Sequence, residues 1–341
     1  GDMGADGIKS EHPSGGDDTR QWGPPWAGDG DEKQSAYFLS VNRNKRSVTI
    51  NLKHPQGQSL IRELVKSSHV VIENFKLGQM DGFGLGYEDL KAINPALVYC
   101  SITGFGQTGA YSSRPGYDYV IQAMSGLMSI TGASDGQPHK VGVAISDVIT
   151  GLFASNAILV ALRHAEQTGQ GQYIDVALLD SQIAALVNIA SNFLVSGQTP
   201  PRLGNLHPNI VPYQTFTASD GEFVLAVGND GQFRQLCTLL ERSDLATDEH
   251  FATNPARVAH RDTLIPILEA LFRQQPVNYW VDHLLEMGIP SGPINNVAQA
   301  LTDPHVLERG LIQETQLDNG ERFQFVGSPL HLSETPPQLR Y

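Results

Sequence analysis

The sequence predicts an α/β protein with a mostly parallel sheet, followed by a smaller α+β unit, and three observations carry that expectation. β-forming runs alternate with helical periodicity through the first half of the 341-residue chain, the pattern of βαβ crossovers with helices on both faces of the sheet. Residues 197–212, "SGQTPPRLGNLHPNIV", then break the periodicity with Pro, Gly and Asn and read as a linker. A hairpin pattern and three further helices follow that break. Together this is more chain than one core holds, since single cores rarely grow beyond ~250–300 residues.

Taken in order, "SVTINL" (47–52), "HVVIENF" (69–75) and "ALVYCSIT" (96–103) predict strands, with helices over 56–67 and near 87–93 between them. An apolar helix near 117–130, a strand at "HKVGVAIS" (139–146) and a long helix over about 148–165 are expected next. "TGQGQ" supplies the glycine stop of that helix, "QYIDVAL" (172–178) another strand and 180–196 another helix. These elements make residues 1–200 a large domain of Rossmann-like topology, and 201–212 a linker. From "YQTFTASDGEFVLAVGND" a hairpin turns at Ser219-Asp220-Gly221, with helices near 231–241, 261–274 and 276–287. That places a small α+β domain at 213–300 and a returning C-terminal segment at 301–341, with a further hairpin signal at "LDNGERFQF".

Composition excludes several classes of function. Net charge is −13, from 23 basic and 36 acidic residues, and no Lys/Arg face with interleaved aromatics offers itself to nucleic acid. No apolar run approaches the ~20 residues of a membrane span, and the first residues lack the pattern of a signal peptide. The two cysteines, Cys100 and Cys237, have neither disulfide-framework nor zinc spacing. A reducing, intracellular setting is expected, either cytoplasm or, in a eukaryote, the mitochondrial matrix.

Asp147, in "AISDVITG" (144–151), is placed by this reading where a strand turns into a helix. Two readings stand side by side. Asp is among the commonest helix N-caps. In open α/β sheets, however, ligands bind beyond the carboxyl ends of strands, near helix N-termini, where a dipole would keep the carboxylate ionised. The small residues Gly151 and Ala154 would allow close approach of a ligand or another chain. "SVNRNKRS" (40–47) carries three cations in four positions, which suits either a phosphate site or a solvated turn. "RLGNLHPN" lacks the Lys-Ser/Thr of a phosphate loop, and no dinucleotide fingerprint is present. His207 within it reads as either a hydrogen-bonded loop histidine or a functional one.

Ten blocks in order, among them "GDDTRQWGPPW", "VVIENF", "YCSITGFGQTG", "RPGYDYVIQAMSGLMSITG", "VGVAISDVITG", "TGQGQYIDVALLDSQ" and "GIPSGPINN", resemble the class III CoA-transferases across essentially the whole chain. The resemblance implies that Asp147 is a nucleophile that attacks an acyl-CoA thioester and passes through aspartyl-anhydride and aspartyl-CoA intermediates. It implies CoA transfer from a donor such as succinyl-CoA to a carboxylic acid, in particular a dicarboxylate such as glutarate. The CoA thioester is substrate, and no covalently bound cofactor or metal is implied. Tyr117 of "GYD" would donate a hydrogen bond near the thioester. Asn42, Lys45 and Arg46, with Asn74 and Phe75 of "ENF", would line the nucleotide end, together with His12 where relatives carry arginine. Gly82 likewise stands where an arginine is found in relatives. Gly204, Asn205 and His207 fall in the loop that would exclude water, and Arg114 could read an acceptor carboxylate.

An interlocked homodimer is implied as well. Two alternatives remain at this point. A racemase branch of the family uses histidine in a "GHD" block, where this chain has Tyr117, and a phenol of pKa ~10 is a poor base at neutral pH. The chain also enters the family pattern late and leaves it early, so a truncated, inactive CoA-binding protein lacking the first strand and helix is the other expectation. Turnover compared with CoA affinity separates enzyme from binder.

Overall fold

The computed structural model describes residues 1–28, 30, 33–316, 320 and 322–340, and the first half of the chain is built on two parallel sheets. β1 (Gly7–Glu11) leads through a short 3-10 turn at Asp18–Gln21 to a two-residue pair, β2 (Trp26–Ala27) with β3 (Gln34–Ser35), then to α1 (Ala36–Asn42) and β4 (Lys45–Thr49). α2 (Pro55–Val65), β5 (Val70–Glu73), α3 (Gln79–Gly82), α4 (Tyr87–Lys91) and β6 (Val98–Thr103) follow. Next come α5 (Asp118–Met124), α6 (Leu127–Ile130), α7 (Ile145–Thr168), β7 (Tyr173–Ala177), α8 (Leu178–Ala184) and α9 (Val187–Ser196).

β1 pairs in parallel with β4, Gly7 opposite Lys45, and β5-β6-β7 form the second sheet with β6 central. Both are the parallel pairings that βαβ crossovers require. Within β6, Val98, Tyr99, Cys100 and Ser101 are buried, as expected of a strand covered on both faces.

Three expectations are corrected. Residues 139–144 form no strand. The 141–143 backbone bonds instead to one side chain, Gln122, whose Oε1 accepts the Val141 N–H and whose Nε2 donates to the Val143 carbonyl. The helix expected over 117–130 is two, since Gly126 takes φ 91° between α5 and α6. The helix expected over 180–196 bends by 76° between α8 and α9. β1, for which no strand was expected, was hidden by its polar composition.

The second half opens with the expected hairpin, β8 (Tyr213–Thr217) and β9 (Glu222–Ala226). α10 (Asp230–Leu239), α11 (Ser243–Thr247), α12 (Asn254–Ala259), α13 (Arg261–Phe272) and α14 (Val277–Glu286) pack around it, and β10 (Ser291–Pro293) adds to β9. Phe216, Phe223, Phe233, Phe272, Leu225, Leu236, Leu264, Leu268 and Trp280 make one continuous core here. α15 (Val297–Leu301), α16 (Pro304–Glu308) and the antiparallel pair β11 (Ile312–Gln316) and β12 (Arg322–Val326) complete the chain. The turn of this last hairpin signal, 317–319 and 321, lies outside the described residues. Arg340 then donates to the carbonyls of Gly1, Gly4 and Ala5, returning the tail to the N-terminal strands.

Cores in the first half are by contrast small and separate. One gathers Val65, Met80, Leu85, Leu90, Leu97 and Tyr99; another Val98, Ala161 and Ala165; a third Phe105, Ile121 and Leu178. α7 leaves Val148, Leu152, Phe153, Leu159 and Val160 exposed, and α9 leaves Leu194 and Val195 at 79% and 89% exposure. Polar residues interrupt the apolar stretch of α7 well short of ~20 residues, although by length and composition alone the helix matches a membrane span. It packs on β6, β7, α5 and α8.

At the end of β1 a buried carboxylate ties the chain together. Glu11 accepts from Arg20 Nε at 2.7 Å and Nη2 at 2.8 Å, from Ser47 Oγ at 2.7 Å and from the Asp17 N–H at 2.8 Å. The Arg20 contact, helped by Ser47 and Asp17 and opposed by burial, lowers its pKa from 4.5 to about 2. With the folded pKa depressed, this contribution is fully present above about pH 4.5 and is lost as pH falls towards about 2. Glu11→Gln is expected to cost on the order of 2 kcal/mol at pH 7 and to flatten the stability profile between those limits. Circular dichroism against pH checks this; an acid profile matching wild type would contradict it.

Candidate active site

Asp147 does not cap its helix. The N-cap of α7 is Ala144, which offers no side-chain acceptor, and Asp147 sits three residues on, in the first turn. The cap comes from another helix: Asp118 Oδ1 accepts the Ser146 N–H at 2.8 Å. Gln122, fully buried one turn along α5, donates to Asp118 Oδ2 at 2.8 Å. Ser146 Oγ in turn donates to Gln182 Oε1 of α8 at 2.8 Å, within the protein interior. Three helices therefore fix Ser146, and the next residue is Asp147.

Among the described residues the Asp147 carboxylate makes no hydrogen bond or ion pair. The residue is exposed, while the protein packed around it, and then the Asp118 carboxylate, push its pKa above the ordinary carboxylate value. That direction opposes the expectation drawn from the helix dipole: the nearby like charge and burial outweigh it. Small neighbours are as anticipated, with Ala154 buried and open space beside Gly151.

Tyr117 precedes Asp118 and is 73% exposed, so the contact that holds α7 also sets Tyr117 beside the same helix terminus. Its loop is fixed from behind by glycines. A Cβ on Gly104 would lie 2.5 Å from the Gly116 Cα, so the segment after β6 and the "RPGYD" loop meet backbone to backbone, an approach only glycine permits. Arg114 stacks on Tyr111 at 3.7 Å.

Of the residues expected at the nucleotide end, Lys45 and Arg46 lie on β4, Asn42 ends α1, His12 follows β1, and Asn74 and Phe75 follow β5. Lys45 donates to Asn42 Oδ1 at 3.1 Å and to the Val41 carbonyl. It has no carboxylate partner among the described residues, and burial followed by the Lys9 charge lowers its pKa. An ammonium so placed suits an anion. Arg46, the next residue along β4, is instead paired with Asp6 at 2.6 Å. His12 is exposed and its Nδ1 accepts the Ser14 N–H in a local turn. Asn74 is exposed, whereas Phe75 packs against Phe83 at the margin of the core around Leu85. A cleft of about 350 Å³ opens beside them, lined by Glu73, Lys76, Tyr87, Tyr99, Gln107 and Tyr173. Gly82 lies in α3 with open space around it.

The 201–209 segment lies against the loop that leads into α7. Arg202 donates to the carbonyls of Ser129, Ala133 and Gly136, and Gly204 takes φ 59° in a groove of about 550 Å³ bounded by Ile189, Val195, Leu203 and Leu206. His207 is committed locally. Its Nδ1 accepts the Asn209 N–H, its ring lies 5.0 Å from that of Tyr213, and burial and then Arg261 lower its pKa. Asn205 is exposed. Among the described residues no group of three or more His, Cys, Asp or Glu is placed to hold a metal ion.

Sequence reasoning missed Asp118, Gln122, Ser146 and Gln182. A signal was present in "DYVIQ", since Asp and Gln four apart share one helix face.

Comparison with known proteins gives a consistent picture. The model of the family described as CoA-transferase family III matches residues 1–341. A "Succinate--glutarate CoA-transferase" of Agrobacterium fabrum is 49% identical, the match covering 100% of this chain and 85% of that protein. A "Succinyl-CoA:glutarate CoA-transferase" of Homo sapiens is 45% identical over 93% of this chain and 71% of its own length. Among solved structures, a CAIB/BAIF family protein from Brucella suis superimposes with a TM-score of 0.85 at 49% identity, covering 99% of this chain and 88% of that one.

Proposed function

The chain belongs to CoA-transferase family III, and we propose that it moves CoA from succinyl-CoA to a dicarboxylic acid such as glutarate, with Asp147 as the nucleophile. The observation that carries this reading is a carboxylate held in the first turn of α7 and engaged, among the described residues, by no side chain or backbone N–H. Capping, the competing explanation for an Asp at this position, is performed by Asp118.

In the proposed sequence an Asp147 carboxylate oxygen attacks the thioester carbonyl carbon and the C–S bond breaks, leaving an acyl-aspartyl anhydride and CoA thiolate. The thiolate attacks the aspartyl carbonyl, releasing the donor acid as carboxylate and leaving an aspartyl-CoA thioester. The acceptor carboxylate attacks that thioester to give a second anhydride and free thiolate. The thiolate then takes the acceptor acyl group, restoring Asp147. No proton is consumed, and splitting the exchange conserves the thioester bond without hydrolysis. Tyr117 supplies an O–H to the developing carbonyl oxyanion, and the 204–209 segment excludes water. With Tyr117 where proton abstraction would require a base near neutral pH, acyl transfer is the better supported reaction.

Lys45 and Asn42 would hold CoA phosphate, His12, Asn74 and Phe75 the nucleotide, and Arg46 would have to leave Asp6 to join them. Succinyl-CoA assayed with a panel of mono- and dicarboxylic acids tests the substrate reading: transfer to glutarate or a neighbouring dicarboxylate supports it, and transfer to none contradicts it.

We further propose a homodimer in which a second copy covers the apolar faces of α7 and α9. Divided cores in the first half and the run of exposed Leu, Val and Phe on these helices support it, because monomers rarely expose such contiguous surface. Light scattering at micromolar concentration is expected to give twice the chain's 37.0 kDa; a stable monomer would overturn the assignment.

A further inference from the structure

We propose that Asp118 is a positioning residue for Asp147: by accepting the Ser146 N–H it caps α7 from outside, leaving the Asp147 carboxylate free of its own helix and available for attack. This inference rests on the reading of Asp147 as nucleophile, and it concerns how that nucleophile is prepared.

A helix N-terminus exposes several N–H groups without partners inside the helix. In α7 the Ile145 N–H reaches the Val143 carbonyl at 2.8 Å, and the first bond of helical span is Val148 N–H to Ala144 O at 3.1 Å. Ser146 lies between, and its N–H is taken by Asp118. Taking an N–H of this turn is ordinarily the task of the N-cap side chain, but the N-cap here, Ala144, has no acceptor, and Asp118 performs it from α5. The Asp147 carboxylate, in the same turn, makes no hydrogen bond among the described residues.

Asp118 is itself held in place. Its second oxygen accepts from Gln122, whose amide is fully buried and also bonds the Val141 and Val143 backbone. Ser146 Oγ is anchored on α8 through Gln182. The arrangement has two consequences for the nucleophile. One is geometric: α5 and α7 are locked together one residue away from both Tyr117 and Asp147. The other is electrostatic, since a second carboxylate near Asp147 favours its protonated form. Asp118 is the charged group that acts on Asp147. Among the described residues, neither Asp180 of α8 nor His139 and Lys140 of the loop before α7 contributes to that shift.

Two variants separate the consequences. Asp118→Asn can keep an oxygen acceptor for Ser146 while removing the charge and the acceptor for Gln122, whereas Asp118→Ala removes all three. Steady-state transfer from succinyl-CoA to glutarate, measured across pH 4–8, reads the nucleophile's ionisation through its acidic limb. Asp118→Asn is expected to lower kcat only a few-fold at pH 7 and to move the acidic limb to lower pH, because the like charge is gone. Asp118→Ala is expected to lower kcat at least tenfold with the KM for succinyl-CoA within twofold of wild type. An acidic limb unmoved by Asp118→Asn, or an Asp118→Ala enzyme with wild-type kcat, would overturn the proposal. Asp147→Asn in the same assay keeps the two readings apart: turnover there would refute the nucleophile, whereas its loss with both Asp118 variants unaffected would refute only the positioning role.

Discussion

Asp147→Asn is expected to reduce CoA transfer at least ~10³-fold while fold and CoA binding persist. An amide cannot form the anhydride on which each later step depends. Structural loss is not expected, because Asp147 caps nothing and pairs with nothing among the described residues. The sign of its pKa shift points the same way. A carboxyl whose folded pKa is raised by burial and by Asp118 is more easily ionised in the unfolded chain, so its charge opposes folding above that pKa. The neutral Asn is therefore expected to leave stability unchanged or slightly higher at pH 7. Turnover, circular dichroism and calorimetric CoA titration on the same preparation test the claim together. Substantial turnover without deamidation back to Asp would remove the mechanism.

Arg257→Ala should produce the largest loss of stability, about 3–5 kcal/mol. Arg257 is completely buried in the core of the second half. Its Nε donates to the Val211 carbonyl at 2.6 Å, Nη1 to the Phe251 carbonyl at 2.8 Å and Nη2 to Asp230 Oδ1 at 2.8 Å, and its guanidinium lies 4.3 Å from the centre of the Phe233 ring. Truncation leaves two buried carbonyls without donors, frees Asp230 and opens a cavity, three penalties that act together. Arg257→Lys should recover part of the loss only, since a single ammonium cannot replace a planar fork that serves three acceptors. Urea unfolding of the three proteins gives the comparison; an Arg257→Ala midpoint within error of wild type would contradict this account of the core.

Periodicity made the regular elements legible and left the connections obscure. "HVVIENF" and "ALVYCSIT" became β5 and β6 because both are short apolar, β-branched runs, the second of them buried as a strand covered on both faces is, and "SDG" marked the turn between β8 and β9. "HKVGVAIS" has the same β-branched composition and formed no strand; the backbone there is claimed instead by Gln122. Asp147 was legible as a candidate nucleophile through the motif around it. Its surroundings were not, because Asp118, Gln122 and Gln182 are brought to the adjoining Ser146 by packing of α5, α7 and α8 rather than by sequence proximity. Charge counting likewise could not distinguish Lys45, which has no carboxylate partner among the described residues, from Arg46, already neutralised by Asp6. That distinction depends on the alternation of β4 and on which carboxylates β1 and its flanks bring near.

Covalent trapping tests the assignment of Asp147 most directly. The protein is incubated with succinyl-CoA, quenched with hydroxylamine, digested and read by mass spectrometry, since hydroxylamine converts an activated aspartyl carbonyl to a hydroxamate. The modification is expected on the peptide containing "AISDVITG", localised to Asp147, dependent on succinyl-CoA and absent from Asp147→Asn. Modification of a different carboxylate, or full transferase turnover with Asp147 never modified, would contradict the assignment.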